Sequence, residues 1–339
     1  MGRMRPELPP APAPYETRHG ASWDLSGIRT PAFVAGTELA DLADHDPRIV
    51  VLTADLAYSN RTHEFAARHP DRFFNVGIAE QNMVSMAAGM ATCGTMPFVA
   101  TFASFVGLLC AEQLRTDVAY SELPVRVLAH HSGMALGFYG TSHHALEDIA
   151  IMRALAGMRV VSATDENMLR SILRFSLSTD EPLYIRMGRG RDPQVYDAPP
   201  EFALGASYRL TEGEDVAILA TGAAVAPALE AARILHHEAG VHARVVDLAS
   251  VWPLDAQAVL DAARDCGRIV TVEEHNVTGG LGTTICEVLA EGGVAVPIRR
   301  HGIADEYVLV GPPAGLYAHY RLDGPGVAAV TRELVGDAA

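Results

Sequence analysis

Cysteine is scarce in this chain, which has four in 339 residues. The four stand in apolar stretches without C-x-x-C spacing, and they are Cys93, Cys110, Cys266 and Cys286. This usage argues against a disulfide framework and against a cysteine-based metal site. We expect four reduced thiols in the core of a cytoplasmic protein.

Basic residues are also few, with 26 lysines and arginines against 41 acidic residues and a formal net charge of −15. Binding to nucleic acid or to an anionic membrane surface needs a basic face, so neither is expected as the main partner. A few well-placed arginines can still bind one phosphate group. The chain also lacks any run of 18 apolar residues, so no transmembrane helix is expected.

The length of the chain exceeds what one hydrophobic core usually serves, and it predicts two domains. Residues 1–24 are rich in proline and lack the apolar centre of a secretion signal. They predict a flexible arm. The remainder divides into a first domain at 25–190, a linker rich in glycine and proline at 191–212, and a second domain at 213–339.

Short β-branched runs alternate with longer helical patterns, which predicts an α/β fold in both domains. Each domain should be a mostly parallel sheet with helices on both faces. In the first domain the predicted strands are 48–53, 73–76, 96–101, 125–130, 158–163 and 182–186, and the predicted helices are 79–93, 104–120 and 165–177. In the second domain the predicted strands are 215–221, 243–248, 268–274 and 297–301, and the predicted helices are 223–239, 255–265 and 281–291.

Polar residues follow four of these strands directly, in the segments TADLAYSN, GIAEQ, TFASF and HHSG. Ligands of parallel sheets bind beyond the carboxyl ends of the strands, so these segments are candidate site residues. Glu80 of GIAEQ stands between an apolar strand and a nearly uncharged helix, which predicts a dry environment. A carboxylate there needs a hydrogen-bond donor or retains its proton. A helix-start carboxylate and a functional group both fit this pattern.

Two histidine pairs flank the glycine-rich segment GMALGFYGTSHH. His130 and His131 end a predicted strand, whereas His143 and His144 close the segment. Their spacing is not that of a zinc motif, and no carboxylate or thiolate completes one, so no metal site is predicted. Substrate contact or acid–base chemistry is the functional interpretation.

Other polar and aromatic candidates have two interpretations each. Phe102 and Phe105 share one face of a helix start, which fits core packing or a ligand contact. Arg186, Arg189 and Arg191 follow the sixth strand, where they would bind a phosphate or solvate the linker.

Several segments occur in one characteristic order: ADLAYSN, FNVGIAEQNMVSMAAGMA, ATFASF, HSGMALGFYGTSHHALEDIAIMRAL, PLYIRMGR and EEHNVTGGLG. Together they resemble the carboxyl-terminal portion of a transketolase, and more narrowly the smaller subunit of a split transketolase. The resemblance extends from about residue 25 to the C-terminus. It implies a pyrimidine-binding domain for thiamine diphosphate, followed by the transketolase C-terminal domain.

The resemblance assigns five residues to the cofactor. Glu80 matches the catalytic glutamate that hydrogen-bonds N1′ of the aminopyrimidine and promotes its imino tautomer. Phe102 and Phe105 match the aromatic residues that stack on or flank this ring. Asp55 and Leu56 match residues beside the thiazolium, where the leucine supports the bent cofactor.

The resemblance also assigns substrate contacts. Ser59 and His131 match residues that bind the sugar phosphate, and His143 matches the histidine near the reacting hydroxyls of the donor. Both histidines count as catalytic candidates. Arg189 matches a phosphate-binding arginine, and Arg186 competes for that role by register. The whole predicted substrate-binding set is Ser59, His131, Tyr139, His143, Arg186, Arg189 and Arg29.

Four positions depart from the family pattern. Members usually carry LGEDG, where this chain has Phe138 and Tyr139. The change removes a carboxylate that accepts a substrate hydroxyl, and it adds ring volume. Leu108 stands where a third aromatic is expected, and His144 replaces a common glutamine. These differences predict a donor or acceptor other than the ordinary pentose phosphates.

The resemblance implies a transferase that cleaves the C2–C3 bond of a ketose phosphate and passes the two-carbon ketol unit to an aldehyde. The GDG motif that holds the diphosphate and Mg²⁺ in this family is absent from the sequence. No length remains upstream for the domain that carries it. We therefore expect a partner subunit with that motif and with the Mg²⁺ site, active sites shared between subunits, and an α₂β₂ heterotetramer.

Two alternatives share this two-domain plan. The β subunit of a 2-oxoacid dehydrogenase first component usually has an Asp–Phe pair where this chain has TFASF, and it lacks the GTSHH segment. A non-catalytic partner subunit is the other alternative. The presence of Asp55, Glu80, His131 and His143 argues against it.

Overall fold

The computed structural model describes residues 31–189 and 193–336. The predicted flexible arm, Arg29 and Arg191 lie outside these ranges. Two sheets with helices on both sides make up the described chain, so the predicted α/β class with two tandem sheets is confirmed.

Six parallel strands form the sheet of the first domain, at the six predicted positions. They are β1 Ile49–Thr53, β2 Phe73–Asn75, β3 Met96–Phe102, β4 Arg126–His130, β5 Arg159–Ser162 and β6 Leu183–Arg186. Their spatial order is β2-β1-β3-β4-β6-β5. The strands β1, β3, β4 and β6 are buried along their whole length, as expected for a parallel sheet covered on both faces.

Seven α-helices accompany this sheet within residues 31–189. They are α1 Pro31–Ala43, α2 His63–Arg68, α3 Glu80–Thr92, α4 Ala103–Leu109, α5 Ala111–Gln113, α6 Asp148–Arg153 and α7 Glu166–Ser176. The sequence did not predict α1, α2 or α6. The predicted helix 104–120 is interrupted at Cys110, whose φ of −105° and ψ of 10° leave helical geometry. A π-helical stretch at Leu114–Ala119 completes this segment.

Helix α3 packs closely on the sheet because its inward face consists of small side chains. Ala87, Ala88 and Ala91 are buried against β3, together with Met83. Small side chains let a helix approach a sheet more closely than leucine or phenylalanine would. The first residue of α3, Glu80, is therefore held against the sheet edge.

The second sheet has four adjacent parallel strands and a short antiparallel strand at one edge. Its strands are β7 Tyr208–Arg209, β8 Val216–Ala220, β9 Ala243–Asp247, β11 Ile269–Asn276 and β12 Ile298–Ile303, in the order β12-β11-β8-β9-β7. The helices of this domain are α8 Val225–Ala239, α9 Ala256–Cys266, α10 Leu281–Glu291, α11 Pro313–His319 and α12 Gly324–Gly336. The sequence did not predict α11 or α12, which follow the last predicted strand.

The strand β10, Ser250–Trp252, leaves the second domain and joins the first sheet. It pairs antiparallel with β5, and the Ser162 N–H also donates to the Ala249 carbonyl at 2.8 Å. The linker is fixed as well, because the Asp165 carboxylate accepts the N–H groups of Val195 and Tyr196 at 2.7 Å each. The two domains are therefore joined by backbone hydrogen bonds, and the first sheet contains one strand from the second domain.

The four cysteines are free thiols. Cys110 and Cys266 are buried and Cys286 is partly buried, but Cys93 is exposed just after α3. The prediction of four core thiols is therefore wrong at Cys93. None of the described helices combines the length and the apolar content that a membrane span requires. The described ranges also contain no group of three or more metal-ligating side chains.

Candidate active site

The candidate site lies at the carboxyl edge of the first sheet, where β1, β2, β3 and β4 end side by side. Thr53 of β1 aligns with Asn75 of β2, and Phe102 of β3 aligns with His130 of β4. Parallel pairing thus brings the four polar segments that follow these strands to one edge.

Asn75 joins two of these segments. Its side-chain oxygen accepts the N–H of Asp55 at 3.0 Å and the N–H of Gly77 at 3.1 Å, and its amide donates to the Asp55 carboxylate at 3.3 Å. Asp55 has a left-handed φ of 61°, a conformation that aspartate tolerates better than most residues. Leu56 is half-buried in the same turn, and Ser59 is exposed at its outer end. The sequence did not single out Asn75, although its position at a strand end is a usable signal.

Glu80 begins α3 and its side chain is buried, with 7% of the residue exposed. Within residues 31–189 and 193–336 its carboxylate makes no hydrogen bond or ion pair, although a buried carboxylate needs one. It lies close to Cys110, where burial and the Glu80 charge together raise the pKa of the thiol to about 12. The site therefore presents a carboxylate of a largely buried residue that is able to accept a hydrogen bond.

Aromatic rings form a continuous wall at the carboxyl ends of β3 and β4. Phe102 and Phe105 have ring centroids 5.2 Å apart, and Phe102 lies 4.8 Å from His131. His143 lies 5.1 Å from Phe105 and 4.8 Å from Tyr139. The structure thus brings together five residues that the sequence predicted for cofactor or substrate binding.

The two histidines at the end of β4 form a neutral pair. Their Nδ1 atoms lie 2.6 Å apart, so one ring must donate while the other accepts. Burial, with the neighbouring charge of His131, lowers the pKa of His130 well below its usual value. Burial lowers the pKa of His131 to about 3, and the charges of Arg189 and His143 act in the same direction. His131 is therefore a neutral hydrogen-bonding group at physiological pH.

We expect the free energy of unfolding to depend on pH through His131. Its pKa is 6.5 when unfolded and about 3 when folded, so its stabilising contribution is complete above pH 6.5 and decreases as the pH falls towards 3. Between pH 8 and pH 5 the native chain should lose about 2 kcal/mol more than His131→Asn, at 1.36 kcal/mol per pKa unit. Asparagine is chosen because it tolerates the left-handed φ of 58° at this position. Urea unfolding at both pH values measures the difference, and identical pH dependence in the two chains would contradict the buried neutral ring.

The residues 131–147, which we call the substrate loop, connect β4 to α6 and carry Tyr139 and His143. Tyr139 is 62% exposed and Phe138 is 63% exposed. His143 is partly buried, its Nδ1 lies 2.9 Å from the Ser142 hydroxyl, and burial lowers its pKa. His144 points inward, where burial also lowers its pKa.

The structure separates the two arginine candidates. Arg186 is buried and donates to the Asp148 carboxylate at 2.9 Å, to the Ala145 carbonyl at 3.1 Å and to the Glu274 carbonyl at 2.8 Å. This placement argues against the predicted substrate-binding role, because its guanidinium is enclosed and engaged. Arg189 remains half-exposed, and its charge acts on His131.

The fold and the site together indicate a class of protein, one that binds a heteroaromatic cofactor. A largely buried carboxylate that makes no hydrogen bond within the described chain begins α3, which contacts α4, the helix that carries Phe105. At the end of a parallel sheet, this carboxylate and the tilted rings of Phe102 and Phe105 fit a heteroaromatic cofactor that donates a hydrogen bond. Residues 32–193 match the family described as transketolase, pyrimidine binding domain, and residues 205–327 match transketolase, C-terminal domain.

The chain is 40% identical over 298 residues to one of the subunits of the apulose-4-phosphate transketolase of Phocaeicola vulgatus, with 88% of this chain and 95% of that protein covered. It is 39% identical over 295 residues to a putative transketolase C-terminal section of Methanocaldococcus jannaschii, with 86% and 92% covered. A solved structure described as a split gene transketolase, inactive beta4 tetramer, superposes with a TM-score of 0.82 at 40% identity, over 91% of this chain and 99% of that one.

The chain belongs to the transketolase family, and it corresponds in extent to the separate C-terminal subunits of split members. It is a transferase subunit that acts with a partner subunit. The family implies thiamine diphosphate as cofactor. The residues present fit that group, since Glu80 makes no hydrogen bond within the described chain, and Phe102 and Phe105 provide aromatic surface at the same edge of the sheet.

Proposed function

We propose that this chain binds the aminopyrimidine side of thiamine diphosphate and moves a two-carbon ketol unit from a ketose phosphate to an aldehyde. The observation that carries the proposal is the buried Glu80 carboxylate without a hydrogen-bond donor among the described residues. When bound, the cofactor supplies a nucleophilic carbon that accepts the ketol unit.

Four further residues support Glu80 in this proposal. The Glu80 carboxylate would accept a strong hydrogen bond from the ring nitrogen N1′ in its protonated form, which would hold the pyrimidine in register. Phe102 and Phe105 would stack on or flank the ring and exclude water. Asp55 and Leu56 lie in the left-handed turn that Asn75 fixes, which suits them to contact the rest of the cofactor.

The substrate phosphate has candidate ligands on two elements. Arg189 supplies the positive charge, and His131 supplies a neutral ring that can donate a hydrogen bond to a phosphate oxygen. Ser59 is exposed and able to contribute its hydroxyl. His143, between Phe105 and Tyr139, is placed to hydrogen-bond the reacting hydroxyls of the donor.

The acceptor should differ from the ordinary pentose phosphates. Phe138 and Tyr139 expose two rings at the position where the family carries acidic residues that accept a substrate hydroxyl. Rings favour an aldehyde with an apolar or otherwise less hydroxylated face. We therefore propose a specialised acceptor.

The partner in this proposal is a diphosphate-binding subunit that holds Mg²⁺, assembled with this chain as α₂β₂ in the cytoplasm. The sequence here contains no GDG motif. A similar chain whose structure is described as an inactive beta4 tetramer supports the need for a second kind of subunit.

The experiment is to purify the tagged chain from its own host under gentle conditions and to identify co-purifying proteins by mass. We expect one stoichiometric partner with a GDG-type motif, and the pair should transfer ketol units from ketose phosphates only when both chains are present. Recovery of this chain alone, or an inactive pair, would favour a non-catalytic subunit. Decarboxylation of pyruvate with a lipoyl acceptor would favour a 2-oxoacid dehydrogenase component. A kcat/KM highest for ordinary pentose phosphate acceptors would contradict the specialised acceptor.

A further inference from the structure

The substrate loop is anchored in the second domain, although its candidate site residues face the first. The loop is closed at its base by two hydrogen bonds of 3.0 Å between the backbone groups of Gly133 and Ala145. Beyond this pair, the side chains of Met134 and Leu146 are buried in the hydrophobic core of the second domain. Both ends of the loop are thus fixed by a domain that contributes no predicted site residue.

Glu274 of β11 is the polar anchor of this contact. Its carboxylate accepts the Met134 N–H at 2.6 Å and the hydroxyl of Tyr317. Gly133 makes the approach possible, since a Cβ there would lie 2.0 Å from the Glu274 carboxyl carbon. Gly133 also has a φ of +59°, which favours glycine. The substrate loop therefore leaves room for the Glu274 carboxylate at Gly133 and donates a hydrogen bond to it from Met134.

Backbone hydrogen bonds extend the contact along the loop. The Asn276 N–H donates to the Leu146 carbonyl at 2.8 Å, and the Gly311 N–H donates to the Gly137 carbonyl at 3.0 Å. Arg186 connects the base of the loop to β11 through the carbonyls of Ala145 and Glu274. These contacts lie on both sides of Tyr139 and His143.

We propose that the second domain is a brace for the substrate loop, and that Glu274 is a positioning residue for His143 that acts through Met134. The structural part of this inference rests on these contacts alone, and its kinetic part rests on the proposed function. Rigid support matters because a displacement of about 1 Å at a reacting group can cost about 10²-fold in rate. The brace gives the second domain a role in substrate binding without any contact to the substrate.

Hydrogen–deuterium exchange of the full chain tests the structural part without cofactor or substrate. In Glu274→Ala we expect amide exchange within residues 131–147 to increase about 10-fold or more, because Met134 loses its acceptor and the loop loses its polar contact with β11. Glu273→Ala is the matched control. Glu273 is an adjacent, equally buried carboxylate that accepts the N–H groups of Leu281 and Gly282 at the start of α10. Its loss should increase exchange at residues 281–291 instead. Equal exchange of the loop in the native chain and in Glu274→Ala would overturn the brace.

Kinetics of the complex with its partner test the positioning role. Glu274→Ala should raise KM for the phosphorylated donor and lower kcat/KM by about 10²-fold. Glu274→Gln keeps an oxygen that accepts the Met134 N–H, so it should recover to within about 3-fold of the native value. Glu273→Ala should leave the kinetics within about 2-fold while it lowers stability. Equal kinetic losses in the two alanine variants would show a merely structural role. If the native complex lacks ketol transfer, the proposed function is wrong. The hydrogen–deuterium exchange result still shows whether the second domain supports the substrate loop.

Discussion

Glu80→Gln is expected to lower the kcat of the assembled enzyme by about 10²–10⁴-fold, the range that a positioned acid–base side chain contributes. Glutamine matches the volume of glutamate but lacks its charge, so the hydrogen bond to the pyrimidine nitrogen loses its charge-assisted character. Steady-state ketol transfer by the complex measures the effect. Folding should be retained, since the native carboxylate makes no hydrogen bond within the described chain that the amide would break.

Glu112→Gln is the control for Glu80→Gln. Glu112 is an exposed carboxylate in α5 that pairs only with Arg115 among the described residues, so this variant should keep the native kcat. Complex formation by both variants, checked by mass, separates catalysis from assembly. Native kcat in Glu80→Gln, with the partner bound, would remove the basis of the proposed function.

Arg186→Met is expected to lower the free energy of unfolding by about 3–5 kcal/mol, the range for breaking a buried ion pair from one side. Asp148 would remain buried with a carboxylate that has lost its positive partner, although the hydroxyl of Tyr184 still donates to it at 2.9 Å. The carbonyls of Ala145 and Glu274 would lose a donor as well. Urea unfolding followed by circular dichroism measures the change.

Two further variants serve as controls for the loss of stability in Arg186→Met. Arg115→Met breaks an exposed ion pair and should cost at most about 1 kcal/mol. Arg186→Met combined with Asp148→Leu removes both buried charges and should regain part of the lost stability. If Arg186→Met lowers the free energy of unfolding no more than Arg115→Met does, Arg186 is not the buried structural residue described here.

Much of the fold could be predicted because buried parallel strands have short, nearly continuous apolar sequences. All six parallel strands of the first sheet lie within two residues of their predicted ends, as do the strands β8, β9, β11 and β12. Three kinds of element were missed. Helices α1, α2, α6, α11 and α12 lie in stretches where no helical pattern was recognised, and β7 has two residues. The strand β10 is short, and its partner β5 lies in the other domain.

The proximity of most candidate site residues could be predicted, because they follow strands whose ends must meet. The structure brings Phe102, Phe105, His131, Tyr139 and His143 together as expected. It does not support the substrate role of Arg186, and Arg29 lies outside the described residues. Register along the chain could not distinguish Arg186 from Arg189, because burial depends on what packs against a strand end.

The sequence by itself determined the two α/β domains, the order of the motifs and the position of Glu80 at a helix start. These are local properties, set by neighbours within a few residues along the chain. Only the tertiary structure decided that β10 crosses into the first sheet, that Arg186 is enclosed, and that Glu274 holds the substrate loop. Glu274 and Met134 are 140 positions apart in the chain. Their contact exists because two separately formed sheets pack against each other, and no local pattern encodes which surfaces will meet.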